Sequence, residues 1–196
     1  MSLRSKLFAT AFALGTLVVA PSHAVILTSV DTAPENVVTN FSAPGLLSFD
    51  LDLARANPAT TLTYQIEAGD GAQLDFNAIV RNLLGEGIGY FELSLANATF
   101  SIVGSAERAF GPAPSVTGGG SAAVIGFNPQ EFFEFFVGDP LASGAGTNWG
   151  INIAGLTAGD QFSLTLAVAE PATPALLLGG LAAVLGLRRR RTQTST

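Results

Sequence analysis

The chain predicts an all-β protein: an antiparallel β-sandwich over residues 25–169, preceded by a signal helix in 1–24 and followed by a transmembrane helix within 170–196. Three observations predict it. Apolar residues in the central stretch recur mainly with period two, the spacing that puts alternate side chains on one face of a strand. Each such run is bounded by glycine, proline, aspartate or asparagine, the residues that set turns. No cysteine occurs anywhere, so apolar burial alone must stabilise the domain. At this size a domain buries roughly 68–70% of its unfolded surface, which suffices without covalent staples.

The first clear run is "LLSFDLDLA" (46–54), which directs Leu47, Phe49, Leu51 and Leu53 to one side and Ser48, Asp50 and Asp52 to the other. "TLTYQIE" (61–67), "YFELSLANATFSIV" (90–103), "AAVIGF" (122–127), "WGINI" (149–153) and "QFSLTLAVA" (161–169) follow. The turns between them read "AGDGAQ" (68–73), "FGPAPSVTGGGS" (110–121), "GDPLASGAGTN" (138–148) and "LTAGD" (156–160). Sheets with one wet face and one buried face follow from this alternation. A jelly roll and an immunoglobulin-like Greek key both accommodate the run lengths.

Two stretches depart from period two. "LDFNAIVRNLLGEG" (74–87) spaces Phe76, Ile79, Val80, Leu83 and Leu84 at three and four residues, which suits a short helix or a strand followed by a helical turn. "NPQEFFEFFVGD" (128–139) concentrates Phe132, Phe133, Phe135 and Phe136 around Glu134. A cysteine-free core needs aromatic bulk, which favours a strand or helical turn capping the sandwich with its rings inside. The competing account is an exposed aromatic patch that meets another molecule.

Charge narrows the function classes. The chain carries a formal −6, but residues 25–169 hold fourteen of the fifteen carboxylates against only Arg55, Arg81 and Arg108, a net −11. Nucleic acid is excluded as a partner, because phosphate binding needs a basic surface. The catalytic inventory is short: His23 leaves with the signal peptide, Lys6 is the only lysine, and there is no cysteine. No catalytic residue is assigned. Asp50 and Asp52 form the only close carboxylate pair, which a glycosidase would use as acid and nucleophile, yet alternation places both on one solvated face. No resident cofactor is expected; Ca²⁺ is the one metal that the acidic excess and neighbours such as Asp70-Gly71 admit, without an EF-hand loop or nonapeptide repeat.

The two ends differ from the middle. Arg4 and Lys6 precede an apolar run from Leu7 to Ala20, and Ser22 and Ala24 place small residues around His23 where a signal peptidase reads them. Cleavage after Ala24 makes Val25 the first mature residue. At the other end, Pro174–Leu187 runs fourteen residues without charge and stops at Arg188, Arg189, Arg190 and Arg191. A helix of that run, extended back to Pro171, spans on the order of 21 to 25 Å, and arginine stems snorkel across the shortfall to a core of about 30 Å. The four arginines hold the C-terminus on the cytoplasmic side, so residues 25–169 face outward.

Glu170-Pro171, the apolar segment and the arginine cluster, in that order at the C-terminus, resemble the PEP-CTERM sorting signal of Gram-negative exopolysaccharide producers. The family's signature is Pro-Glu-Pro; Glu170 and Pro171 match its second and third positions, and Ala169 stands where the first proline is usual. The resemblance implies recognition and processing by an exosortase, a membrane cysteine protease, after transient anchoring through residues 174–187. It covers only residues 170–196 and is silent about the middle domain. The expectation is an exported structural or adhesive protein of the cell surface or extracellular matrix, touching polysaccharide or other surface proteins. The alternatives are a carbohydrate-binding module, which would line up Trp149, Tyr64 or Tyr90 on an exposed sheet face, and a carboxylate-dependent glycoside hydrolase.

Overall fold

The computed structural model describes residues 25–144, 146 and 148–169. The expected signal helix and transmembrane helix lie outside these residues, as do Ser22, Ala24, Glu170, Pro171 and Arg188 to Arg191. Among the described residues there are thirteen strands and no helix. They are β1 (Ile26–Asp31), β2 (Val37–Asn40), β3 (Leu46–Leu53), β4 (Thr60–Gln65), β5 (Gln73–Asn82), β6 (Ile88–Ala96) and β7 (Thr99–Ile102). After these come β8 (Ala106–Arg108), β9 (Ser115–Gly119), β10 (Ala122–Glu131), β11 (Glu134–Val137), β12 (Trp149–Asn152) and β13 (Gln161–Ala169).

The strands form two sheets. The first has the order β1-β4-β13-β6-β10-β9 and is antiparallel throughout. The second begins β2-β3-β5, and the far side of β5 is shared by two short strands. There β11 pairs with Ala78–Arg81 and β12 with Gln73–Phe76, flanked in turn by β8 and β7. The inner faces meet in one core, with Phe135 of the second sheet set edge-on to Phe91 at 5.0 Å and tilted against Phe127 at 4.8 Å, both from the first. Trp149 sits fully buried between Phe76 and Phe100, its Nε1 donating to the Ser105 carbonyl at 2.8 Å. This is the packing of a β-sandwich.

The expectation of a wholly antiparallel sandwich needs one correction, because β3 and β5 run parallel over their full contact, Leu46↔Asp75 to Leu53↔Asn82. The reason is a matter of parity. From β3 the chain crosses to the first sheet for β4, reversing once, then returns for β5, reversing again. Two reversals restore the original direction, so neighbours in the same sheet are parallel.

The helical option over 74–87 is also overturned. Residues 73–82 are strand, with Leu74, Phe76, Ala78 and Val80 all buried at period two. Ala78 is too small to register in a hydrophobic spacing, and without it the remaining large residues imitate a helix. Two flanking strands supply the ladder bonds that decide the matter. Leu83 and Leu84 fall in the following turn, which Asn82 fixes by accepting the Leu84 N–H at 3.0 Å and donating to the Glu86 carbonyl at 2.8 Å.

The sandwich has two distinct ends. Ile26 lies opposite Gln65, which itself lies opposite Gln161, so the chain enters at the end where β13 begins. It leaves at the other end, where Ala169 closes β13 opposite Tyr90.

Because Phe135 touches both Phe91 and Phe127 across the sheets, Phe135→Ala is expected to lower unfolding stability by about 3–5 kcal/mol, whereas Val37→Ala, at an exposed edge, changes it by less than about 0.5 kcal/mol; denaturant titration of both variants checks this. Burial pushes the pKa of the Tyr64 hydroxyl above the ordinary phenol value. The unfolded chain releases that proton near pH 10 while the folded chain keeps it, so stability is full below about pH 10 and falls above it. Tyr64→Phe should flatten that decline in an alkaline series of unfolding midpoints.

Candidate functional site

All three arginines of the described residues gather toward the end where the chain leaves, and each meets a carboxylate. Arg55 lies 3.5 Å from Glu35 on the surface. Arg81, facing outward from β5, spreads its guanidinium across Asp50 and Asp52 of β3, at 2.7 Å from each, with Glu134 of β11 at 3.6 Å. The parallel register makes this possible: Asp52 is the direct partner of Arg81, and Asp50 projects from the same outer face two residues away. The two carboxylates in turn hold the Arg81 guanidinium even more firmly protonated than usual.

Arg108 and Glu131 make the third pair, and it is buried: their side chains retain 6% and 1% of their exposure. Arg108 Nε stands 2.7 Å from Glu131 Oε2, in contact but without the N–H alignment of a hydrogen bond. Its other nitrogens donate to the carbonyls of Pro129 at 2.9 Å and Gln130 at 3.0 Å, and its Cζ lies 5.8 Å from the centre of the Phe127 ring. Gly111, at φ 107°, closes over the guanidinium; a Cβ there would fall 3.3 Å from Arg108 Cζ. One arginine thus ties down the irregular end of β10, where register with β6 is lost between Gly126 and Glu131.

That irregularity is a corner at which the chain passes from the first sheet to the second with only Phe132 and Phe133 between β10 and β11. The corner turns its backbone inward. Phe133 N–H donates to Glu131 Oε1 at 2.7 Å, the Phe133 carbonyl accepts from Asn82 N–H at 2.6 Å, and Asn82 Nδ2 donates to the Glu131 carbonyl at 2.7 Å. With the polar backbone inside, both rings are left outside, Phe133 at 63% exposure. Phe110, 69% exposed in the loop after β8, meets Phe133 edge to face at 5.7 Å. Phe132 lies against Gly87, where a Cβ would come within 2.6 Å of the ring. With Leu83 these side chains line an open depression of about 270 Å³, bordered also by Arg81 and Glu134.

The phenylalanine-rich stretch divides: Phe135 fills the core, while Phe132 and Phe133 are exposed. Leu83 and Phe110 were not anticipated beside them. A phenylalanine followed by Gly111-Pro112 inside a loop was the available signal, since such a ring has no strand to bury it.

The other expected positions are placed as follows. Val25 is a core residue. Trp149 and Tyr64 are fully buried, so neither offers a face to a sugar ring; Tyr90 stands alone at 48% exposure. Asp50 and Asp52 face Arg81 rather than a cleft. Asp70 accepts the Glu67 N–H at 2.8 Å, closing its turn, and among the described residues no three acidic or imidazole side chains converge as a metal site. Compared with protein-family models, with curated proteins and with solved structures, the chain matches none.

Arg108→Met strands the buried Glu131 carboxylate without its cation and is expected to cost about 3–5 kcal/mol of stability. Adding Glu131→Gln removes the charge while leaving an oxygen for the Phe133 N–H, so the double variant should recover most of that loss. Urea midpoints of the two variants measure the difference.

Proposed function

We propose that this is an exported, exosortase-sorted protein of the cell surface or extracellular matrix, structural or adhesive rather than catalytic. The observation that carries this reading is the order of the C-terminal sequence: Glu170-Pro171, an uncharged apolar segment through Leu187, and Arg188 to Arg191. The fold fits it in one respect: among the described residues the last buried core side chain is Leu166, and the motif begins four residues later, at Glu170. A sorting signal processed there would detach the domain with its core intact.

The mature product would be the sandwich from Val25 onward, strongly acidic and held together without disulfides. An acidic surface of this kind associates with acidic polysaccharide through divalent cations or at raised salt, both of which screen the mutual repulsion. For the winding of the sandwich we infer a jelly-roll-like topology. From β3 onward each new strand or strand pair changes sheet, the alternation that distinguishes a jelly roll from an immunoglobulin-like key.

The reading predicts a membrane-bound precursor and an extracellular form ending near Glu170 or Pro171. Arg188 to Arg191 replaced by glutamine should disturb orientation, while Glu170→Ala with Pro171→Ala should leave insertion intact and stop processing. Intact mass of the extracellular form decides: a product still carrying "LLLGGLAAVLGLRRRR" overturns the sorting proposal.

A further inference from the structure

We propose that the exposed end formed by Leu83, Phe110, Phe132 and Phe133 seats in the lipid–water interface of the membrane that holds the C-terminal segment. This rests on the reading of residues 174–187 as a membrane anchor and adds a second contact, made by the folded domain itself.

Chain geometry gives the first argument. Ala169 pairs with Tyr90, three residues from Gly87, against which Phe132 packs. The last described residue and the aromatic patch therefore share one end of the sandwich, while Val25 lies at the other. Only residues 170–173 separate Ala169 from the uncharged run, and four residues reach at most about 14 Å. An anchored chain is thus held with this end, and no other, at the membrane surface.

The chemistry of that end gives the second argument. Three aromatic rings and a leucine project from loops, not from a sheet edge, and they are already ordered by the Phe110–Phe133 contact and by Gly87. Little conformational freedom is left to lose on insertion. The protein is acidic, and Glu86 is exposed in the turn beside Leu83, but here Glu35, Asp50, Asp52, Glu131 and Glu134 each stand in contact with an arginine. That pairing weakens the repulsion that an acidic surface would meet at anionic headgroups.

Geometry also favours lipid over a second copy. Two chains anchored in the same membrane point this end the same way, toward the bilayer, so the patches cannot meet face to face.

The test uses the full chain carrying Phe133→Trp, reconstituted in vesicles of phosphatidylethanolamine and phosphatidylglycerol doped with acyl-brominated phosphatidylcholine. Phe41→Trp, exposed beyond β2 toward the opposite end, is the control, and the native Trp149 is a buried constant background. The tryptophan at 133 is expected to lose about half its emission to the brominated lipid, as an interfacially seated ring would, and the one at 41 to lose none. A chain that floats with the vesicles yet shows no quenching at 133 overturns the seating while leaving the anchor reading in place. A chain that does not float overturns both. Equal quenching at 41 and 133 means that the domain lies flat, which also overturns it. So does a concentration-dependent blue shift at 133 without bromine quenching, the mark of a second copy.

Discussion

Two sheets with no covalent link between them hold together only as well as their inner faces exclude water. Everything else in this protein follows from that condition. The strands alternate strictly where they cover one another, as in β3, β4 and β13. Phe91 and Phe127 of one sheet meet Phe135 of the other where the sheets approach each other, and the largest buried ring, Trp149, packs between Phe76 and Phe100. Polar outer faces are tied by their own pairs, Thr61 with Thr165 at 3.0 Å and Ser48 with Asn77 at 2.6 Å. Removing a ring from the interior opens a cavity that no disulfide compensates.

The same condition explains the ion pairs. A guanidinium and a carboxylate are buried between β8 and the end of β10 because the crossing from one sheet to the other leaves backbone carbonyls that need donors. Arg108 satisfies two of them, and Glu131 neutralises its charge and accepts a third group's N–H. Hydrophobic side chains of similar volume would pack there, but they would give up the two bonds by which Arg108 fixes the exposed backbone at Pro129 and Gln130. Arg81 has the corresponding role on the outside, bridging three strands that would otherwise place three carboxylates side by side.

Much of this was legible from the sequence, and the exceptions have physical reasons. The runs at 46–54, 61–67, 122–127, 149–153 and 161–169 became β3, β4, β10, β12 and β13 within a few residues, because each buries one face and period two records it. β1, β2 and β9 left no such trace: as edge strands they are mostly exposed on both faces, so nothing selects for alternation. The run at 90–103 was split at Asn97, whose positive φ of 63° turns the chain. Asp50 and Asp52 were placed on one solvent-facing side correctly, but their partner was not foreseeable, since Arg81 comes alongside only through the parallel pairing of β3 and β5. The patch was half legible: the ring-rich stretch is plain, but which rings turn outward depends on the two-residue corner.

β13 occupies the middle of its sheet, with β4 on one side and β6 on the other. The last strand of the described residues is therefore the one that joins two groups already synthesised, and its partners in β4 lie about a hundred residues earlier. Until residues 161–169 arrive, that sheet is two fragments, each with an open edge. Such long-range closure is slow to nucleate. Under the proposed export of this chain, that ordering would postpone completion of the domain until residues 161–169 had crossed, and so would keep the chain threadable until then.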